Sequence, residues 1–372
     1  MRGKFSLFVA ILLFSGIFFA AKFEPNWHGK VRVLAHGDVS NLLEKGCKER
    51  PLELRTAKAL ECPPNTNFEG ADVTDDPEVF AMDSGANTQI RANLVWGGPN
   101  YTGYTGAGSV VAVLDTGINY NHPELSSSYV GGKDFVNNDM DPMDDNGHGT
   151  HVAGLITADG AVARAKGVAP DASILAGKVL SASGSGSFSN IIAAIYWAAD
   201  NADVDVISMS LGTSRTFKTS NCDSYIPDLT TAINYAVSKG KAVVVAAGNS
   251  KTGVSSPGCV SGTITVGAVN SADSIASWSG RGFAMKDHGV VAPGVSLYSA
   301  YLGTSYATMS GTSMATPVVS GTIALMKQKN PGLSVAQIKN ILWTTSVDKG
   351  SAGYDTTYGH GRVDAYSAVG AS

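Results

Sequence analysis

The sequence predicts an α/β protein of three layers, with a central, mostly parallel sheet between two layers of helices. From about Gly85 onwards, apolar segments of strand length alternate with amphipathic segments of helix length. Several strand segments, such as Ala242–Ala247, are apolar throughout. Continuous apolar strands are typical of a parallel sheet that is buried on both faces.

The predicted elements of this region follow in chain order. Strands are predicted at Val110–Leu114, Ile174–Val179, Val204–Ser208, Ala242–Ala247 and Thr263–Val269. Helices are predicted at His148–Thr157, Asn190–Asn201, Leu229–Ser238, Thr312–Lys329 and Val335–Thr344. The helix that ends at Ser238 has a clear stop signal, because Lys239 and Gly240 follow it.

A smaller α+β domain is predicted before this region. It contains a strand at Lys30–His36, a helix at Val39–Lys48 and a strand at Leu52–Leu60. The segment is too short to bury much apolar surface by itself. We therefore divide the chain after the leader into residues 22–84 and residues 85–372.

Residues 1–21 have the pattern of a secretory signal peptide. Arg2 and Lys4 precede the apolar run Phe5–Phe19, and two alanines follow it. A phenylalanine at the −3 position is a poor match to a cleavage site, so a retained membrane anchor is the alternative. We expect a secreted protein.

The composition excludes some functions and favours disulfides. Charged residues make up 16% of the 372 residues and the net charge is −4, which argues against nucleic acid and against a polybasic membrane contact. An even number of cysteines, four, suggests disulfides in an exported chain. Their positions favour the pairs Cys47–Cys62 and Cys222–Cys259 among three possible connectivities.

Four polar residues follow predicted strands or begin predicted helices. Asp115 follows the strand 110–114 and Asn249 follows the strand 242–247. His148 and Ser313 each begin a helix. Since sites in α/β sheets form beyond the carboxyl ends of strands, these side chains are candidates for one active site.

Acyl-transfer chemistry gives each of the four a role. His148 would act as the base for the weak nucleophile Ser313, and Asp115 would orient the imidazole and stabilise its charged form. The Ser313 N–H and the Asn249 amide would bind the oxyanion, helped by the helix dipole.

Each residue also has a simpler interpretation. Ser313 could be an ordinary N-cap, and Asn249 could occupy a left-handed turn. Asp115 begins an Asp-Thr-Gly that also occurs in aspartic proteases. His148 and His151 could be core histidines or metal ligands, although this H-x-x-H lacks the glutamate of zinc metalloprotease helices. Any one of these interpretations is reasonable alone, but all four would have to hold together for residues that occur in this order, which favours the active-site hypothesis.

The order Asp, His, Ser differs from that of α/β-hydrolases, and the chain has no G-x-S-x-G elbow. The segments VVAVLDTGINYNHPEL, NGHGTHVAG, VVVAAGN and GTSMATP resemble those of subtilisin-like serine proteases, the subtilases. The resemblance runs from about Gly103 to Ala368. It implies a subtilisin-like fold and an endopeptidase with Asp115, His148 and Ser313 as its triad and Asn249 in its oxyanion hole.

The same resemblance implies how substrates bind. Ser210, Leu211 and Gly212 would form an edge that pairs with the substrate backbone. The floor of the pocket for the residue before the scissile bond (the P1 residue) would contain Ser255, Ser256, Pro257 and Gly258. These small residues predict broad specificity with a preference for large apolar P1 residues.

The resemblance further implies that residues 22–84 are a propeptide, which acts as an intramolecular chaperone and inhibitor. We expect autocleavage between Phe80 and Ala86, with Phe80 and Met82 as apolar candidates for the P1 residue. The alternative for this stretch is a solvated linker. The expected partners are peptide and protein substrates and the chain's own propeptide, and we expect a monomer.

No cofactor is expected for the chemistry, but a structural calcium ion is a candidate. The dense carboxylates of Asp139, Asp141, Asp144 and Asp145 suit Ca²⁺, and a solvated acidic loop is the alternative. Another calcium loop of the family maps to residues 159–166. Ala161, Arg164, Lys166 and Glu124 depart from its pattern, so we do not expect calcium there.

Two other functions are compatible with parts of the sequence. A catalytically silent subtilase fold could serve as a binding protein, but every catalytic position is filled. A serine esterase of the α/β-hydrolase class is disfavoured by the order of the triad.

Overall fold

The computed structural model of the protein describes residues 31–52, 54–76, 78–81, 89–97 and 103–372. The predicted signal peptide lies outside the described residues. Among the helices that are described, none is both long enough and apolar enough to cross a bilayer.

The strands and helices are numbered in chain order. The strands are β1 (Val31–Ala35), β2 (Lys48–Glu49), β3 (Lys58–Cys62), β4 (Val73–Asp75), β5 (Glu78–Ala81), β6 (Val110–Asp115), β7 (Tyr129–Asp134), β8 (Ser173–Lys178), β9 (Ser185–Ser187), β10 (Val204–Met209), β11 (Leu211–Gly212), β12 (Thr216–Phe217), β13 (Ala242–Ala246), β14 (Val254–Ser255), β15 (Ile264–Val269), β16 (Gly289–Pro293), β17 (Leu297–Ala300) and β18 (Tyr306–Met309). The helices are α1 (Ser40–Glu44), α2 (Asn93–Gly97), α3 (His148–Thr157), α4 (Phe188–Asp200), α5 (Pro227–Ser238), α6 (Phe283–His288), α7 (Thr312–Lys329), α8 (Val335–Thr345) and α9 (Ala365–Ala371).

A seven-stranded sheet in the order β16-β15-β13-β10-β6-β8-β7 forms the middle layer. Every neighbouring pair in this sheet is parallel. Successive residues of a strand point to opposite faces, and β6 shows the result. Val111 and Val113 join a core that includes residues of α3 and α7, whereas Ala112 and Leu114 join a core that includes residues of α4 and α5. The predicted α/β fold is confirmed.

The sequence analysis missed several strands. Strand β7 contains two glycines and a lysine, and most of its residues are only partly buried, so no apolar run marks it. The hairpin of β17 and β18 was also missed, because its residues are largely small or polar. The helices α3 and α7 have the predicted bounds.

The N-terminal part forms its own four-stranded sheet, in the order β2-β3-β1-β4, with a small separate core. Helix α1 is shorter than predicted and β3 begins later than the predicted strand. The next strand, β5, leaves this sheet and pairs antiparallel with both β9 and β11 of the larger part. The chain before residue 82 is therefore joined to the larger part by backbone hydrogen bonds.

A buried charged pair anchors the segment that precedes β5. The Asp76 carboxylate accepts hydrogen bonds from the Ser189 N–H (2.8 Å) and hydroxyl (2.6 Å), in the first turn of α4. The Arg50 guanidinium lies 3.6 Å from Asp76 and donates to Ser187 and Asn190, each at 2.7 Å. Burial raises the pKa of Asp76 and lowers that of Arg50 to about 10.

Both predicted disulfides are confirmed. Cys47–Cys62 lies in the core of the small N-terminal sheet. Cys222–Cys259 joins the segment before α5 to the loop after β14. Disulfides that close loops of these lengths typically contribute about 2–4 kcal/mol.

Candidate active site

Three of the predicted site residues lie at the carboxyl ends of adjacent strands. Asp115 ends β6, Ser210 follows β10, and Asn249 lies three residues after β13. These strands are neighbours in the sheet, and the register pairs Ser208 with both Val113 and Val244. The parallel sheet therefore brings distant parts of the chain to one edge.

The first half of the site is the pair Asp115 and His148. The His148 Nδ1 lies 2.7 Å from the Asp115 Oδ1, which also accepts a hydrogen bond from the Thr116 N–H at 2.7 Å. Both side chains are buried, and Oδ2 of Asp115 has no hydrogen-bond partner among the described residues. A buried carboxylate at this distance can hold the imidazole in one orientation.

The glycines on either side of His148 explain how it approaches Asp115. Gly147, the N-cap of α3, has a φ of 102°, and a Cβ there would lie 2.3 Å from the Tyr301 ring. A Cβ on Gly149 would lie 2.0 Å from the Gly117 carbonyl oxygen. Any side chain at position 149 would push the helix away from the strand end that carries Asp115.

Ser313 is the second residue of α7, where main-chain N–H groups lack partners within the helix. Its hydroxyl donates to the Ser210 carbonyl at 3.2 Å. Pro317 has no N–H to donate to the carbonyl of Ser313 four residues earlier. The Ser210 hydroxyl takes that place and donates to the Ser313 carbonyl at 2.6 Å. Pro317 and Ser210 together fix the first turn of the helix.

Asn249 is oriented by Thr312, a residue that the sequence analysis did not single out. The Asn249 Oδ1 accepts from the Thr312 N–H and from its hydroxyl, each at 3.0 Å. Because a main-chain N–H can only donate, the oxygen of the amide must face Thr312. The Asn249 NH₂ therefore faces the other way. A helix N-terminal threonine is a known capping signal and could have pointed to this contact.

The predicted substrate edge lies beside the predicted pocket floor. The β5 backbone runs antiparallel to β11, with Phe80 opposite Gly212 and Ala81 opposite Leu211. The next residue, Thr213, donates its N–H to the Ser256 carbonyl at 2.9 Å. Ser255 donates its N–H to Ala247 at 2.9 Å, which ties the floor segment to the strand before Asn249.

His151 is a core histidine. Its Nε2 lies 3.1 Å from the Ala307 carbonyl oxygen and 3.2 Å from that of Leu297, so this nitrogen carries the proton. Burial, and to a lesser degree the charge of His148, lower the pKa of His151 to about 4. A neutral imidazole that donates to two carbonyls serves packing.

The four aspartates of the predicted calcium cluster do not converge. Asp139 accepts from the Asp141 N–H, and Asp141 accepts from the Tyr120 hydroxyl. Asp145 pairs with Lys178, 2.6 Å away. Within the described ranges, no three His, Cys, Asp or Glu side chains are placed to hold a metal ion. These residues do not fit a calcium ion, and the calcium prediction has no support here.

Asp144 has a different role from the predicted one. Its Oδ1 accepts from the N–H groups of Asn146 and Gly147 and from the Thr116 hydroxyl. Its Oδ2 accepts from the Thr150 N–H and hydroxyl. The buried Asp144 carboxylate thus accepts five hydrogen bonds from the protein itself. Asp144 thus holds the start of α3, and with it His148, against the strand end after β6.

Comparison with known proteins agrees with this geometry. The model of the subtilase family, peptidase S8, matches residues 106–361. An alkaline protease of Alkalihalobacillus alcalophilus is 41% identical over 303 residues, which are 79% of this chain and 75% of that protein. Subtilisin Savinase of Lederbergia lenta is 44% identical over 268 residues, 72% of this chain and 93% of that protein.

A solved structure shows the same fold. A cold-adapted subtilisin-like serine proteinase is 37% identical, with a TM-score of 0.60, covering 70% of this chain and 88% of that one. The family match covers more than half of the chain and includes Asp115, His148, Asn249 and Ser313. The chain belongs to the subtilase family, and it is a serine endopeptidase of the subtilisin type.

Proposed function

We propose that this endopeptidase uses Asp115, His148 and Ser313 as its triad, is secreted, and matures by cutting its own prosegment. In this mechanism His148 takes the proton of the Ser313 hydroxyl as that oxygen attacks the substrate carbonyl. Asp115 stabilises the imidazolium, which then protonates the leaving amine. The acyl-enzyme on Ser313 is released by water, with His148 again as the base.

The oxyanion of each tetrahedral intermediate needs two donors. The Ser313 N–H lies at the start of α7, and the Asn249 NH₂ faces away from Thr312. Both are fixed before the substrate binds, so little reorganisation is needed in the transition state.

The observation that carries the proposal is the position of β5. Its backbone lies between β9 and β11 and pairs with both, as an extended peptide substrate would. Phe80 pairs with Gly212 and Ala81 with Leu211, so β5 runs towards Ser210. The Ser210 carbonyl oxygen accepts a hydrogen bond from the Ser313 hydroxyl. The segment from residue 22 to the cleavage site, within the predicted range 22–84, therefore serves as a prosegment that first presents its own end to the nucleophile and then blocks the cleft.

The substrate preference rests on the small residues of Ser255–Gly258. With main-chain pairing tolerant of sequence, the P1 pocket provides most of the selection. Small side chains on its floor leave room for large apolar P1 residues. Casein hydrolysis that stops on treatment with a serine-directed covalent inhibitor, followed by sequencing of the products, tests activity and preference together. Processed protein that leaves casein intact would refute the proposal.

The maturation site can be predicted to a residue. In the backbone register Phe80 lies opposite Gly212 and Ala81 opposite Leu211, and Ser210 is the next residue of the edge, so we take the residue after Ala81 as the candidate for P1. We expect autocleavage after Met82 and a mature N-terminus at Asp83. N-terminal sequencing of the secreted enzyme checks this, and it also fixes whether the leader is removed. A mature chain that begins before Ala81 or after Ala86 would show that β5 is not the processed strand.

Removing the Asn249 donor should slow the chemical step. Asn249→Asp keeps an oxygen for Thr312 but has no N–H, and we expect kcat to fall by about 10²–10³ with little change in KM. Asn249→Ala should lose a similar factor, which separates the lost donor from the added charge. Steady-state kinetics on a peptide substrate measure both. If the two variants keep kcat within a few fold of the parent, Asn249 is not an oxyanion donor.

A further inference from the structure

Glu124 is unusual in this chain. It is the only glutamate between Val79 and Ser372, a region that contains many aspartates. Its side chain is fully buried, in the segment between β6 and β7. A buried carboxylate that takes no part in the proposed chemistry requires a structural explanation.

Three consecutive main-chain N–H groups point at this carboxylate. Gly160 donates to Oε2 at 2.8 Å, Ala161 to Oε2 at 3.2 Å, and Val162 to Oε1 at 2.7 Å. Successive N–H groups that converge in this way form a nest, which favours an anion. The nest here belongs to the loop 159–166, whose residues 161–164 are exposed.

The main-chain groups of this loop are oriented oppositely to those of a calcium-binding loop. Calcium is held by oxygen ligands, commonly including main-chain carbonyl groups. Here N–H groups point inward, and the Ala158 and Val162 carbonyls accept from the N–H groups of Gly167 and Ala165. The loop thus presents positive dipoles to its centre. The Glu124 carboxylate accepts from all three N–H groups, and the Asp159 carboxylate, which also contacts Glu124, shares that of Ala161 at 2.9 Å.

The same carboxylate reaches the hairpin of β17 and β18. The Tyr306 hydroxyl donates to the Glu124 Oε1 at 2.9 Å. Tyr306 stacks on Tyr298, with ring centroids 5.3 Å apart, and the Arg164 guanidinium lies 4.3 Å from the centroid of the Tyr298 ring. Loop and hairpin are therefore fastened together at two points, and Glu124 contacts both directly.

This hairpin also supports the catalytic helix. Its Leu297 and Ala307 carbonyls accept from His151, one turn after His148. Its Tyr301 hydroxyl donates to the Asn146 carbonyl at 3.0 Å, just before α3 begins. The loop that Glu124 holds is thus part of the packing around the N-terminus of α3.

We propose that Glu124 is an internal anionic latch, which closes the loop 159–166 onto the hairpin of β17 and β18 in place of a bound cation. The latch keeps the exposed loop 159–166 packed on the hairpin, where other protease molecules cannot bind it in an extended form and cleave it. It makes this loop independent of calcium. The proposal does not depend on the catalytic roles given above, because loop opening can be measured without activity.

The test uses the full chain with Ser313→Ala, so that self-digestion does not interfere. Trypsin cuts after Arg164 and Lys166, and the rate of cleavage at these two residues reports how often the loop opens. Glu124→Gln leaves the shape nearly unchanged but replaces one acceptor oxygen with a donor that faces the nest. We expect cleavage in the loop to become at least about tenfold faster and the Tm to fall by about 2–4 °C.

Two further variants make the test specific. Tyr306→Phe removes one hydrogen bond and should speed cleavage by a smaller factor, and it remains informative if Glu124→Gln fails to fold. Asp171→Asn removes a negative charge at an exposed position and should change neither rate nor Tm. Addition of millimolar CaCl₂ should leave the rate of loop cleavage unchanged in the parent and in Glu124→Gln.

Three results would overturn the proposal. The first is a loop that is cut as slowly in Glu124→Gln and Tyr306→Phe as in the parent. The second is an equal acceleration in Asp171→Asn, which would indicate a general effect of charge. The third is protection by calcium in the parent that is lost in Glu124→Gln, since Glu124 would then be a cation ligand.

Discussion

Ser313→Ala is expected to lower kcat by at least about 10⁴-fold and to leave the precursor as a single uncut chain. The substitution removes the attacking oxygen, whereas the oxyanion donors remain. Among the described residues, the Ser313 hydroxyl donates only to the Ser210 carbonyl, so the fold should be retained. Steady-state kinetics on a peptide substrate and the mass of the secreted or refolded chain give the two readouts.

The control for this prediction is Ser127→Ala, which removes the same hydroxyl oxygen from an exposed serine. It should mature and turn over like the parent. Residual activity in a Ser313→Ala sample should not be blocked by a serine-directed covalent inhibitor, because the labelled oxygen is missing. A Ser313→Ala chain that still separates its own prosegment at high dilution would show that another residue is the nucleophile.

Asp115→Asn should lower kcat by about 10⁴-fold while KM changes by only a few fold. The Oδ1 of Asp115 accepts from the Thr116 N–H and also faces the His148 Nδ1, so an asparagine oxygen in that position can keep both contacts and the fold should be retained. The negative charge that stabilises the imidazolium would nevertheless be gone, and this loss is the reason for the expected fall in kcat.

The exposed substitution Asp203→Asn provides the matched loss of one charge and should leave kcat unchanged. Thermal unfolding separates a catalytic effect from a structural one, because a folded Asp115→Asn variant retains a cooperative transition near that of the parent. A kcat within tenfold of the parent would remove Asp115 from the triad.

The sequence predicted the candidate site residues where both the residue type and its position at a strand end or helix start pointed to one role. Asp115, His148, Asn249 and Ser313 each occupy a strand end or a helix start, and the parallel topology brings these positions together. The apolar runs predicted the central strands, and the glycine before Thr312 marked the start of α7, in both cases from neighbouring residues alone. The parallel character of the sheet followed from these runs, because strands that are apolar throughout are typical of parallel sheets buried on both faces.

Other features depend on contacts that no local pattern contains. The acidic stretch 139–145 suggested calcium by composition, but its carboxylates bind separate partners across the fold. Asp144 lies four residues before the first residue of α3, and an aspartate near a helix start often accepts hydrogen bonds from its N–H groups. The sequence analysis assigned this residue to a metal site instead. Glu124 and Tyr306 are 182 residues apart, and their contact follows only from the folded hairpin.

The Cys222–Cys259 bridge has a consequence for the integrity of the chain. The two cysteines are 37 positions apart in the sequence, and the chain between them contains Asn249 and the segment from Ser255 to Gly258. A single break in the backbone anywhere inside this ring opens a loop but releases no fragment. The two new ends stay covalently attached on either side of the break, so Asn249 and residues 255–258 remain on one connected molecule.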